Sequence, residues 1–196
     1  MLSESRYIKR FMMISNDCGV SERKRRIRLT VVYGALLVFL YVLIFSLSAQ
    51  DGESSTNLST KVSAGSAELF NHISRQHWTD KIVGEIAVFF EYPLRKAAHF
   101  TEYACMGILV YLLWSQWVSR GRLLWVLCTA WVFLSAGLDE LHQRFVPGRC
   151  GSFQDVCLDT LGGIVGVLVL LSIQGLSRSF RSKRRGRSGA YEGGVE

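Results

Sequence analysis

The stretch "GLDELHQRFVPGRCGSFQDVCLDTLGG", Gly137 to Gly163, sets Asp139, Glu140, Asp155 and Asp159, together with Arg144, Arg149 and His142, between two apolar runs. Carboxylates in such a group supply bases for proton transfer or oxygens for a divalent cation. The "FVPGR" turn presents Arg149, whose planar fork suits phosphate or carboxylate. Upstream, "RKAAHFTEY" offers Lys96, which with Arg149 would clamp an anionic headgroup. Ser152, Asp155 and His99 would be the parts of a nucleophile or proton-transfer set. The opposing reading is that Lys96, Arg149 and the acidic residues neutralise one another in buried ion pairs that fix helix register.

Helical spacing brings these residues onto common faces. Lys96, His99 and Tyr103 share one, Asp139 and Gln143 another, and Asp155, Asp159, Gly162 and Gly166 a third. The last face contains a "GxxxG" that allows close approach of membrane helices, a packing role that would hold Asp159 in place.

The elements that must position these faces are apolar. The chain has 196 residues and is 49% hydrophobic. Its uncharged runs extend from Leu29 to Gln50, Tyr103 to Ser119, Leu123 to Leu138 and Thr160 to Ser177. A membrane span needs roughly 20 mostly apolar residues, so the last three need charged neighbours to finish the crossing. Those neighbours, "RKAAHFTEY", "GLDELHQ" and "DVCLD", fall at one end of the three spans, and ionisable groups at membrane depth read as functional by default.

The expected fold is therefore an all-α integral membrane protein, a compact bundle of four transmembrane helices. The spans cover about residues 27–49, 98–118, 122–142 and 155–176 of a membrane domain at 27–177, and both termini are cytoplasmic. Residues 1–26 and 178–196 are expected to be basic tails without fixed structure. Cleavage of the first run as a signal peptide, for which "SLSAQ" offers small residues before Gln50, is disfavoured by the length of its apolar core. Of the 23 basic residues, sixteen fall in the segments this topology places inside and seven outside, in line with the positive-inside rule.

After the first span, "DGESSTNLST" reads as a polar loop. "SAELFNHISRQ" and "DKIVGEIAVFFEY" read as short amphipathic helices on the outer interface, and Pro93 punctuates the chain before the second span. His72, His77 and Trp78 are interfacial residues in this reading. The net charge of +7 is concentrated beside the membrane, which points to anionic lipid headgroups rather than nucleic acid. The five cysteines show neither a CxxC motif nor zinc-ligand spacing. Cys18 falls on the cytoplasmic side and Cys105 and Cys128 within the membrane, while Cys150 and Cys157 lie close enough on the outer side for a disulfide or two free thiols.

"RKAAHFTEYACMGIL" followed by "DELHQRFVPGRCGSFQDVCLDTLGGIVG" resembles the VanZ-like family of bacterial membrane proteins. The resemblance spans roughly residues 30 to 173, with the specific part at about 95 to 166. The matching positions are Lys96, His99, Glu102, Tyr103, Asp139, Glu140, Gln143, Arg149, Ser152 and Asp155, with Gly162 and Gly166 after them. Asp159 departs from the family pattern, which commonly has Asn there.

The resemblance implies a multi-pass protein of the bacterial plasma membrane whose namesake is linked to resistance to teicoplanin-type glycopeptides; it brings no settled activity, and the cofactor is unknown. The combined candidate set is then His99, Glu102, Asp139, Glu140 and Asp155 for catalysis, and Lys96, Tyr103, Gln143, Arg149, Ser152 and Asp159 for binding. The expected partners are membrane lipids, a lipid-linked cell-wall precursor or a glycopeptide. Two functions fit: a pocket that binds an anionic headgroup, and an intramembrane hydrolase or transferase acting on a phosphorylated lipid. A proton or ion pathway fits less well, because the acidic residues gather at one end instead of spreading through the membrane depth.

Overall fold

The computed structural model describes the backbone of residues 2–192 apart from Gln76 and Arg120, and the side chains of residues 19–180 with the same two exceptions. Among the described residues the chain is wholly helical, with α1 at Leu2–Ser48, α2 at Gly52–Ser74, α3 at Asp80–Trp114, α4 at Arg122–Gln143 and α5 at Phe153–Glu192. Three stretches are long and apolar enough to cross a membrane: Gly19–Ser48, Arg122–Gln143 and Phe153–Phe180. The first half of α3 carries Asp80, Lys81, Glu85, Glu91, Arg95 and Lys96, and its apolar second half packs as the centre of the bundle.

Helices α1 and α5 continue into the basic flanks, where the sequence suggested irregular tails. The side chains of residues 1–18, Cys18 included, and of 181–196 lie outside the described residues.

The core follows from helical spacing. Leu37, Leu40 and Ile44 of α1, Tyr103, Met106 and Val110 of α3, Leu124, Cys128, Val132 and Ala136 of α4, and Val156 and Val167 of α5 form one buried cluster. Each set repeats mainly at three or four residues, the periodicity of a single helix face. The opposite faces are also apolar, with Phe39 67% exposed and Leu138 67% exposed. A water-facing helix would carry polar residues there, whereas hydrocarbon accepts apolar ones without cost.

Two local expectations change. Asp51 to Thr60 is the start of α2 and its cap rather than a polar loop. The Asp51 carboxylate caps the helix by accepting the Ser54 N–H at 2.6 Å, and the Ser59 hydroxyl donates to the Ser55 carbonyl at 3.0 Å. Polar side chains that favour a loop in isolation thus serve the helix here. Burial of Ser55, Ser63 and Ala67 as α2 packs on α3 completes the stabilisation.

Pro93 lies inside α3 instead of ending a short helix before the span. A proline removes a single backbone donor and keeps a helix-compatible φ. Its position at the α2–α3 groove lets packing offset that loss. The α2–α3 turn is closed by Asn71, whose side chain accepts the Trp78 N–H at 2.9 Å.

Candidate functional site

The contact between α3 and α5 sets the geometry of the site. A Cβ on Gly107 would collide with the Gly163 backbone, one on Gly166 with the Ala104 carbonyl, and one on Gly162 would stand 2.5 Å from the Phe100 carbonyl. The glycine face of α5 therefore lies directly on the backbone of α3. This contact aligns the first turn of α5 with the middle of α3, where Lys96 forms an ion pair with Asp155. Lys96 Nζ also stands 5.2 Å above the Tyr92 ring, a cation–π geometry.

A second close approach fixes the α4–α5 turn. Gly148 adopts φ 73°, a left-handed conformation that glycine tolerates. Gly52 donates its N–H to the Pro147 carbonyl at 3.0 Å, and a Cβ on Gly52 would strike Gly148. The turn is thereby fastened to the α1–α2 junction. Arg149, leaving this turn, donates from a terminal guanidinium nitrogen to the Leu47 carbonyl at 3.0 Å. Its Nε is buried without a partner. Burial lowers the Arg149 pKa, and the nearby Arg95 charge acts in the same direction; guanidinium remains protonated regardless.

These contacts enclose a cavity of about 360 Å³, lined among others by Arg95, Lys96, His99, Gln143, Arg149, Ser152, Asp155 and Asp159, with Glu140 in its wall. A neighbouring cavity of about 210 Å³ shares Arg95, His99 and Arg149 with the first and adds Glu102. His99 Nδ1 stands 3.4 Å from Glu102 Oε2, an ion-pair contact that leaves both atoms without a hydrogen bond.

Of the eleven residues singled out from sequence, eight line the larger cavity. Glu102 belongs to the smaller one. Tyr103 and Asp139 line neither cavity; they are buried in the bundle at 1% and 4% exposure. Asp139 Oδ2 accepts from the Ser48 hydroxyl at 2.9 Å and from Gln143 Nε2 at 3.0 Å, an arrangement that ties α1 to α4.

Two other candidates are engaged structurally. Glu140 Oε2 accepts the Ser152 N–H at 2.8 Å. The Ser152 hydroxyl accepts the Gln154 N–H at 3.2 Å, the placement of an N-cap residue ahead of α5. Cys150 and Cys157 are both free thiols.

Sequence reading missed Ser48, Tyr92 and Arg95. Ser48 is a single hydroxyl near the end of an apolar run, which gives little signal in the sequence. Arg95 was passed over beside Lys96, although both stand in "RKAAHF". Among the described residues no group of three or more His, Cys, Asp or Glu side chains is arranged to hold a metal ion. The carboxylates are instead spread among an ion pair, a backbone contact and a buried hydrogen-bond cluster.

No curated protein and no solved structure gives a match. A family model, VanZ/LLP1, matches residues 33–174, a range that holds the glycine contact, the Pro-Gly turn and every residue lining the two cavities. With helices built to cross a membrane around that site, the chain belongs to the VanZ/LLP1 family.

Proposed function

We propose that the protein is a four-span plasma-membrane protein that binds an anionic headgroup, that of a lipid or a lipid-linked cell-wall precursor, in the larger cavity at the outer face. In this reading the second half of α3 is the fourth crossing, both termini are cytoplasmic, and α2 with the first turns of α3 lies on the outer side. The bias of basic residues, sixteen inside against seven outside, supports that orientation.

One observation carries the ligand class: Arg95, Lys96 and Arg149 all reach the same cavity. Lys96 is neutralised by Asp155. Among the described residues Arg149 donates only to the Leu47 carbonyl and keeps a buried donor unpaired, and Arg95 has a 3.5 Å contact with Glu91. A bound phosphate or carboxylate would accept from the free guanidinium donors and offset the repulsion between the two arginines. Sequestering such a headgroup would alter how a lipophilic glycopeptide engages the cell surface, which connects the site to the resistance associated with the family's namesake.

The test is mass spectrometry of the lipids that co-purify with the protein. Arg149→Ala is expected to reduce the bound anionic species by about tenfold or more, the scale set by losing a charge-assisted bidentate contact. An unchanged lipid profile would overturn the reading.

The second reading, a hydrolase or transferase acting on a phosphorylated lipid, draws on His99, which lines both cavities and faces Glu102. A carboxylate so placed orients an imidazole for proton transfer. Because Asp155 holds Lys96, His99→Gln is the cleaner probe. An enzyme loses conversion of the lipid and retains binding, while a binder shows no conversion in either form.

A further inference from the structure

Beside the two cavities lies an apolar groove of about 550 Å³ between α2 and α3, walled by Phe70, Trp78, Phe90, Pro93, Leu94 and Ala97. Leu94 also lines the smaller cavity, which in turn shares Arg95, His99 and Arg149 with the larger one. The three spaces therefore adjoin around α3 between Ile86 and Glu102, each sharing wall residues with the next, and pass from mainly apolar to strongly charged.

We infer that the groove receives a hydrocarbon chain of the same molecule whose anionic head occupies the larger cavity, so that the ligand is a membrane lipid bound head and tail together. This rests on the headgroup reading above and narrows it. A free phosphate or a soluble sugar phosphate would use only the charged end, and nothing in its chemistry would fill the groove. A hydrocarbon chain fits the groove for two reasons. Its walls are aromatic and aliphatic, and its polar wall atoms, the Ser63 and Ser66 hydroxyls, lie on α2, where Ser66 already donates to the Val62 carbonyl at 2.8 Å. The chain is selected by its attachment to the head, since any lipid tail is soluble in the bilayer and gains little by entering an apolar groove alone.

Trp78 makes the inference measurable, because a bromine-labelled chain quenches an indole it touches. The full chain is placed in nanodiscs of phosphatidylcholine containing a minor fraction of chain-brominated phosphatidic acid or, at the same fraction, chain-brominated phosphatidylcholine. The Trp78 contribution is taken as the difference from Trp78→Phe. Brominated phosphatidic acid is expected to quench that contribution severalfold more than the zwitterionic lipid, and the surplus should vanish in Arg149→Ala. Ala97→Phe, a change at an exposed position, should remove the surplus by filling the groove while leaving the co-purifying anionic lipid in place.

Equal quenching by the two lipids, with anionic lipid still lost from Arg149→Ala, overturns the groove inference and leaves the headgroup reading standing. If Arg149→Ala changes neither the quenching nor the bound lipid, both fall. A surplus that survives Ala97→Phe also overturns the inference, since the chain then lies elsewhere against Trp78.

Discussion

Asp139 illustrates how a residue's type and its role separate. By type it is a candidate base. In the fold its carboxylate is shut beneath the cavity, held by Ser48 at 2.9 Å and Gln143 at 3.0 Å, with Oδ1 lacking a partner. A lost interhelical hydrogen bond in a membrane costs about 0.6 kcal/mol on average, and a buried acceptor left short costs about 1–3 kcal/mol. Because Gln143 still donates to Asp139 Oδ2 in Ser48→Ala, the loss is expected at about 0.6–1 kcal/mol. Thermal unfolding in detergent measures it, and an unchanged midpoint would show that the bond contributes nothing. Lys96, His99, Gln143, Arg149, Ser152, Asp155 and Asp159 were legible as cavity residues because polar groups beside apolar runs are costly and stand out. Ser48 was not, because one hydroxyl in an apolar run is cheap and carries no comparable signal.

At the scale of elements, the α3–α5 contact does most to place the site. Its glycines are spaced for one face, and the structure shows that face lying on the backbone of α3. Gly107→Leu is expected to force the helices apart, destabilising by about 1–3 kcal/mol or more as overpacking does and breaking the Lys96–Asp155 ion pair. Gly175→Ala, in α5 and with nothing within 4 Å of its added Cβ, should be neutral or stabilising by up to about 1 kcal/mol. Thermal unfolding of the two variants side by side checks the contrast, and equal losses would exclude close packing as the cause. The glycine face was legible in the sequence because its spacing matches the helix repeat. The start of α2 was misread because Asp, Ser and Thr favour loops and caps alike, and only docking on α3 decides between them.

At the scale of the whole molecule, the proposed orientation can be measured. With both termini inside, the α4–α5 turn is outside, and Cys150, an exposed residue lining the cavity, should react with a membrane-impermeant maleimide on intact cells when it is the sole cysteine retained. Reaction only after the cells are opened would reverse the orientation. The sequence by itself determined that the chain is helical, that it is built for a membrane, which family it belongs to and which polar residues gather near the ends of its spans. The family follows from the motif resemblance, and the rest from short-range rules: the length of an apolar run, the helical repeat, and the cost of a charge near hydrocarbon. Only the tertiary structure decided that Lys96 meets Asp155, that Asp139 is sealed by Ser48 from another helix, and that an apolar groove shares Leu94 with the small cavity beside the charged one. Those outcomes depend on the approach and rotation of helices distant in sequence, which no local pattern encodes.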